Sequence, residues 1–581
     1  MDKKARYVLL LFLVAFLSYA NSLHNDFIDV DDTTNITQNR YMKDLSLRGV
    51  KRFALPQKPN LYGYYPVTHL SWMACYAVKR EFDPFVYRAT SVTLHCLATI
   101  ACFLAVSLMC KSARIGLWTA LIFALHPCHT EAVDWINGQR HLWAALFGFL
   151  TFYFYLKKIE TDRAIFHILA LASFILANMS YATVITIPFL LLLYEWWIAE
   201  KKVTFKRFSI GNPLYASLPF FSVSLWFVLV PNYLFPQNTT YVLISEVFQW
   251  DIWYKLPALF MKYLGDALLP LSRDMSSVAY LPDRFDIYYF SMIVLCAGLF
   301  LICYYLARSQ KKMALFGIIA FAVLLAPPIA KIEVPTPYFL RILYLPSFGI
   351  YLTLCLLAEP HLRDLPTRSR RMKYAIVLLC VAFLGGLGWV TVNKNKNWYS
   401  ARTLWSSLLE DYPARIVALW RLSIMEQDLQ KKASLLEDIA RNTEPCAYGY
   451  PALYVRMSFL WHLQLPELYV RMKKPESVVR EAYYAWHNAD PINAYPLWRL
   501  GAYYENAGSL SKAQGEYEKA VKVYDKDQRF WQSLARIYQK QGDLDRAKEI
   551  NLEIDRRWPG LIRPSPHPSP PGRDLRARRP N

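Results

Sequence analysis

Two neighbouring carboxylates, Asp31 and Asp32, stand in Phe27-Ile28-Asp29-Val30-Asp31-Asp32, shortly after an apolar run that begins at Tyr7. Paired acids at the exit of such a run can take a proton from an acceptor hydroxyl, hold a cation, or sit as a solvated loop. A second constellation is His126-Pro127-Cys128-His129-Thr130-Glu131-Ala132-Val133-Asp134-Trp135, between two short apolar runs. Two His three apart beside a Glu have the makings of a metal site, and equally of a re-entrant turn that satisfies its own polar groups. The third is cationic: Arg140, His141, Lys331 and Arg341 with Tyr344 lie at the edges of apolar runs. Arginine there suits bidentate binding of a lipid phosphate, or snorkelling to the interface. Walker A, G-x-S-x-G and H-E-x-x-H patterns do not occur in the sequence, so the common soluble-enzyme chemistries find no support.

The elements that must position these groups are membrane spans. Of 581 residues, 55% are hydrophobic and only 19% charged, too little charge to cover the surface of a soluble chain. Apolar stretches at 7–23, 85–110, 115–126, 141–156, 164–178, 181–198, 213–231, 284–306, 313–330, 342–358 and 374–391 read as about eleven spans of an all-α, polytopic membrane protein. Basic clusters alternate with them: Lys3-Lys4-Arg6, Lys111-Arg114, Lys157-Lys158-Arg163, Lys201-Lys202-Lys206-Arg207, Arg308-Lys311-Lys312 and the run from Arg363 to Lys373. An even number of spans separates each neighbouring pair, so all six clusters fit the cytoplasmic face. The N-terminus is then inside and everything from 393 outside, and 256–270 is a peripheral or re-entrant helix. The outer face collects the loop 24–84, the turn 126–141, Met179-Ser180, the loop 232–283 and 331–341.

This placement makes the net charge of +21 an anchoring feature and excludes a nucleic-acid partner as its explanation. The ten Cys include no C-x-x-C, and Cys96, Cys102, Cys296, Cys355 and Cys380 fall in apolar runs, which points to neither a disulfide framework nor a zinc site. The first 22 residues have the look of a signal peptide. We expect them to be retained as a span, because the acidic motif follows at once.

Beyond 393 the apolar runs stop and a 34-residue period appears. Leu497, Leu500, Gly501, Tyr504, Gly508, Leu510 and Ala513 recur as Trp531, Leu534, Ala535, Tyr538, Gly542, Leu544 and Ala547. This is the tetratricopeptide pattern. The expected organisation is a membrane domain at 1–392, with 24–84 its first outer loop, and a helical domain at 393–560. Clear repeat copies occupy 494–527 and 528–560, and a Pro- and Arg-rich tail at 561–581 is expected to be disordered. The repeats either cap the membrane domain or bind a protein partner.

Several motifs resemble those of the TMTC-like protein O-mannosyltransferases and their prokaryotic relatives. Phe27 through Asp31-Asp32 to Ile36 and Asn39 is similar to F-x-x-W-D-D…I-x-x-N, and Tyr64-Tyr65-Pro66-Val67-Thr68 with Leu70-Ser71 to Y-R-P-L-T…L-S. The stretch from His126 to Gln139 resembles H-P-x-H-T-E-A-V-x-W-I-x-G, and Arg341 to Ser347 resembles R-Y-L-Y-L-P-S. Asn397-Trp398 and Thr403-Leu404-Trp405 resemble the join into the repeats. This chain departs from the pattern at Val30 (Trp), Tyr65 (Arg), His141 (an acid), Met179-Ser180-Tyr181-Ala182 (S-K-E, so that a Lys and a carboxylate are missing) and Leu340 (Glu).

The resemblance implies a GT-C fold and transfer of mannose or another hexose from a polyprenyl-phosphate donor, outside the cytoplasm. It makes Asp31 or Asp32 the base, with Asp31 preferred as the first acidic position. Arg341, Arg140, Lys331 and Tyr344 are then candidates for the donor phosphate. His126, His129, Glu131, Trp135 and His141 form a substrate-binding or structural motif. No metal ligand set is assigned, and a divalent cation is left open as cofactor. The expected partners are the lipid-linked donor, a protein or peptide acceptor reached through the repeats, and membrane lipid. A glycan or lipid acceptor, or a catalytically inactive scaffold, is the alternative.

Overall fold

A computed structural model describes residues 2–29, 31–55, 64–201, 212–234, 256–269, 277–278, 287–330, 337–363, 369–409, 414–442 and 464–559. These form two compact units, Met1–Leu422 and Ser423–Asn581. The first opens with α1 (Lys3–Tyr19), which buries Leu11, Ala15 and Tyr19. Two shorter helices follow, α2 (Leu47–Ala54) and α3 (Pro66–Lys79). Next come α4 (Pro84–Met109), α5 (Ala113–Leu125), the short α6 (Thr130–Asp134), α7 (Gln139–Thr161), α8 (Ala164–Ser180), α9 (Ile187–Leu193) and α10 (Pro213–Leu234). Then α11 (Leu256–Leu268), α12 (Ile287–Arg308), α13 (Lys312–Ala330), α14 (Ser347–Arg363), α15 (Arg370–Asn395) and α16 (Ala401–Ser407) follow, and the boundary falls within α17 (Ala414–Met425).

Helix starts follow local chemistry. Pro84 occupies the first turn of α4, where its missing N–H costs nothing, and the Asp83 side chain accepts from Phe85 N at 2.9 Å. Ser112 caps α5, and His126-Pro127 ends it, because the residue before a proline is pushed out of helical geometry.

Helix occupies most of the described part of each of the eleven apolar stretches, with a turn at 344–346 inside the stretch 342–358. Among the described residues seven helices are long and apolar enough to cross a membrane, and three shorter apolar ones lie at Ala113–Leu125, Ala164–Ser180 and Thr183–Ile198. α12 and α15 expose Phe290, Val294, Phe300, Leu301, Val377, Leu378 and Leu379, a surface that only lipid solvates well. The chain is a multi-pass integral membrane protein. The segment around 256–270 contains α11, whose 13 residues reach only about 20 Å at 1.5 Å per residue. It buries Leu259, Tyr263 and Leu264 against Phe321 and Leu325 of α13. The described residues are otherwise helical or irregular, except for a two-residue antiparallel pairing of Ser277–Val278 with Pro337–Tyr338.

The second unit contains α18 (Leu429–Asn442), α19 (Glu476–Ala489), α20 (Tyr495–Asn506), α21 (Leu510–Val523), α22 (Gln528–Gln541) and α23 (Leu544–Arg557). A Cβ at Gly501 would lie 2.6 Å from the Tyr517 ring, so α20 and α21 close on each other only because that position has no side chain. Tyr504, Tyr517 and Tyr538 are all buried. Tyr504→Ala is expected to cost this unit about 3–5 kcal/mol through the cavity it leaves. Hydrogen exchange of 495–557 in the intact protein checks this, and unchanged protection would contradict the packing. The expected tail at 561–581 lies outside the described residues.

Candidate active site

The acidic segment is tied to the 126–141 turn by one side chain. Asp32 is fully buried, and its carboxylate accepts from Ile28 N at 3.0 Å and from Asn137 N at 3.1 Å. Each oxygen is therefore committed to backbone. The second bond spans 105 residues of chain and holds the acidic segment against the turn. Asp31 is part exposed, and among the described residues its carboxylate has no hydrogen-bond partner. Behind Asp32 lies Arg88 of α4, also fully buried, whose Nη2 donates to the Asp26 carbonyl.

Burial pushes the Asp32 carboxyl up to about 7, against the pull of Arg88 and the two backbone donors. The native protein thus keeps this proton to higher pH than the unfolded chain, which loses it near the ordinary value of 3.8. The sign follows: stability through Asp32 is full below about 4 and declines as pH rises toward about 7. Thermal unfolding midpoints across that range should fall in the wild type relative to Asp32→Asn. Parallel curves would contradict it.

The turn itself is buried from Pro127 to Gln139; several of its polar groups bond within the protein, while Trp135 Nε1, Asn137 Nδ2 and Gln139 Oε1 accept or donate no hydrogen bond among the described residues. His129 Nδ1 donates to the Phe123 carbonyl at 2.8 Å, which leaves Nε2 to accept from the Ser347 hydroxyl at 2.9 Å. His126 packs its ring 5.0 Å from that of Tyr351 and accepts from Cys128 N at 3.3 Å. Burial holds His129 well below its usual range, so its ring is neutral. Gln139 donates to the Tyr87 carbonyl at 2.9 Å. A Cβ at Gly138 would lie 2.4 Å from the Ala132 carbonyl oxygen, so the turn closes only with glycine there. Among the described residues no group of three or more His, Cys, Asp or Glu could hold a metal ion.

Two guanidinium groups meet at Trp135. Arg341 lies 4.6 Å from that ring centre and 3.6 Å from that of Phe339, and Arg140 lies 5.6 Å from Trp135. Arg341 is held by Glu131, which takes both its Nη1 and, at 3.2 Å, its backbone N–H. Arg140 donates Nε to the Asn137 carbonyl at 3.1 Å, and no carboxylate among the described residues pairs with it. Its other neighbours are the rings of Tyr65 at 5.6 Å and Tyr181 at 5.5 Å. Tyr65 and Tyr181 lie 5.7 Å apart, and His141 lies 4.5 Å from Tyr181. Three of the positions where this chain departs from the family pattern are therefore one spatial cluster around Arg140.

Tyr344 is a correction. It is buried in the core, where its hydroxyl donates to His95 Nδ1 at 2.8 Å and its ring packs 4.8 Å from that of His129. The hydroxyl is spent on structure and does not join the cationic pair. Lys331 and Val30 lie outside the described residues. Arg88 was missed, though a lone arginine inside an apolar stretch is a signal that could have found it.

No family model matches the chain. Human protein O-mannosyl-transferase TMTC3 is 24% identical over 435 residues, covering 68% of this chain and 46% of that protein. Mouse TMTC1 is 36% identical over 83 residues, 14% of this chain and 9% of the relative. The chain resembles the TMTC protein O-mannosyl-transferases. Its match spans about half the length of human TMTC3. Among solved structures, an Archaeoglobus fulgidus oligosaccharyltransferase tethered to an acceptor peptide covers 71% of this chain and 57% of its own, at a TM-score of 0.40 and 11% identity.

Proposed function

We propose that this chain is a GT-C glycosyltransferase that moves a sugar, mannose or another hexose, from a polyprenyl-phosphate donor to a protein acceptor on the non-cytoplasmic face. The observation that carries the reading is the Asp32–Asn137 bond, which holds the acidic loop on the turn that bears Trp135 and Arg140. Asp32 shapes this loop, and Asp31 is the carboxylate left for the acceptor. Asp31 takes the acceptor hydroxyl proton as the oxygen attacks the anomeric carbon from the side opposite the phosphate. The bond from that carbon to the phosphate oxygen breaks, with inversion. The negative charge that remains on the polyprenyl phosphate is met by Arg140, with Arg341 beside it. The helical unit at the C-terminus presents the acceptor.

Sidedness is tested by labelling. Ser400→Cys in intact cells or sealed vesicles should react with an impermeant thiol reagent from the non-cytoplasmic side. Reaction only from the cytoplasmic side would overturn the placement of the active face. Transfer itself is tested by supplying purified protein with a labelled polyprenyl-phosphate hexose and a peptide acceptor.

A further inference from the structure

Away from the candidate active site, α5, α14 and α15 leave a cavity of about 280 Å³ between them. Ile115, Trp118 and Ile122 face it from one side of α5, and Leu354 and Phe383 face it from α14 and α15. Phe383 and Leu354 are also exposed on the outer surface of the unit, so the cavity opens toward the hydrocarbon. Water has no polar partners along such a wall, and in a bilayer the neighbouring molecules are lipid tails.

Its rim is charged in a particular way. Arg114 opens α5 and Glu359 lies near the end of α14, and both line the same cavity. They form no ion pair with each other or with any other described residue. α5 and α15 run in the same direction here, since Thr391 Oγ1 donates to the Leu125 carbonyl at 2.7 Å and, one to two turns earlier on both helices, Leu384 packs with Trp118. Counting back along both helices sets Arg114 near the level of Cys380. α15 continues beyond that level with exposed Val377, Leu378 and Leu379, so Arg114 is flanked by lipid-facing apolar surface. A cation and an anion held apart at the rim of an apolar cavity call for a ligand that offers each its opposite.

We propose that this groove binds a phospholipid with a primary-amine headgroup, of the phosphatidylethanolamine type. One acyl chain fills the cavity along Trp118 and Phe383, the phosphate meets Arg114, and the ammonium donates to Glu359. A choline headgroup has no N–H to give Glu359, and a glycerol headgroup has no cation for it.

The test uses the full chain in phosphatidylcholine nanodiscs. Each is doped with one acyl-diazirine probe carrying an ethanolamine, choline or glycerol headgroup. Cross-linked peptides of α5 and α15 are quantified against the lipid-exposed face of α12. The ethanolamine probe should label the groove about fivefold more than either other probe, the scale of one charge contact near a membrane surface. Ala358→Trp, which fills the cavity from an exposed position, should abolish groove labelling and leave α12 labelling unchanged. Glu359→Gln should erase the advantage of ethanolamine over glycerol. Groove labelling that ignores Ala358→Trp would overturn the site. A glycerol or choline probe that equals the ethanolamine probe in the wild type would overturn the headgroup assignment.

Discussion

Asp31→Asn should lower sugar transfer by about 10²–10⁴-fold if proton removal limits the reaction, because the amide keeps the shape of the carboxylate and loses its basicity. Donor affinity should stay within about twofold, since the phosphate is met by arginine and not by this carboxylate. Asp32→Asn should behave differently. Both Asp32 oxygens accept backbone N–H bonds, and an amide would point a donor at one of them. The expected result is a loss of folded protein, with residual turnover per folded molecule less affected than in Asp31→Asn. The reverse order, with Asp32→Asn stable and inactive and Asp31→Asn active, would transfer the role of base to Asp32.

The second large effect concerns the two guanidinium groups, which the structure sets in different states. Arg140 has no carboxylate partner among the described residues, so Arg140→Ala should leave the fold intact. It should weaken donor binding by roughly 10- to 100-fold, the worth of one charge-assisted contact to phosphate. Arg341 holds fully buried Glu131. Its removal takes the guanidinium away from that buried carboxylate, so Arg341→Ala should cost about 3–5 kcal/mol of stability in addition to any loss of donor binding. Arg341→Lys separates the two, because it keeps the charge and gives up the planar fork. Donor titration beside thermal unfolding reads both quantities. If Arg140→Ala leaves donor affinity unchanged, the cluster at Trp135 is not the phosphate site.

The helices were legible in the sequence because their signals are local. Apolar length, Asp83-Pro84 and His126-Pro127 mark the ends of α4 and α5, and the 34-residue period marks the pairs α20–α21 and α22–α23. The polar turn at 126–141 could be read as re-entrant because its residues sit between two runs too short to leave it far from the membrane. Tyr344 was misassigned for the opposite reason. Its neighbour in sequence is Arg341, but its hydroxyl partner is His95, 249 residues away, and no local pattern carries that contact. The same limit applies to Tyr65, His141 and Tyr181. Each reads singly as a departure from the family pattern, and only the fold gathers them around Arg140. That gathering replaces charged positions with aromatic rings beside one arginine, a change in how the site meets its ligand that single positions do not reveal.

The most direct test is single-turnover transfer from a labelled polyprenyl-phosphate hexose to a peptide acceptor by purified wild-type, Asp31→Asn and Arg140→Ala proteins of equal folded fraction. The proposed mechanism predicts transfer by the wild type, near-complete loss in Asp31→Asn at saturating donor, and recovery of Arg140→Ala toward wild-type rates as donor is raised. Equal transfer by all three would contradict the mechanism, and no transfer by well-folded wild type from any polyprenyl-phosphate hexose would assign the chain to the inactive-scaffold alternative.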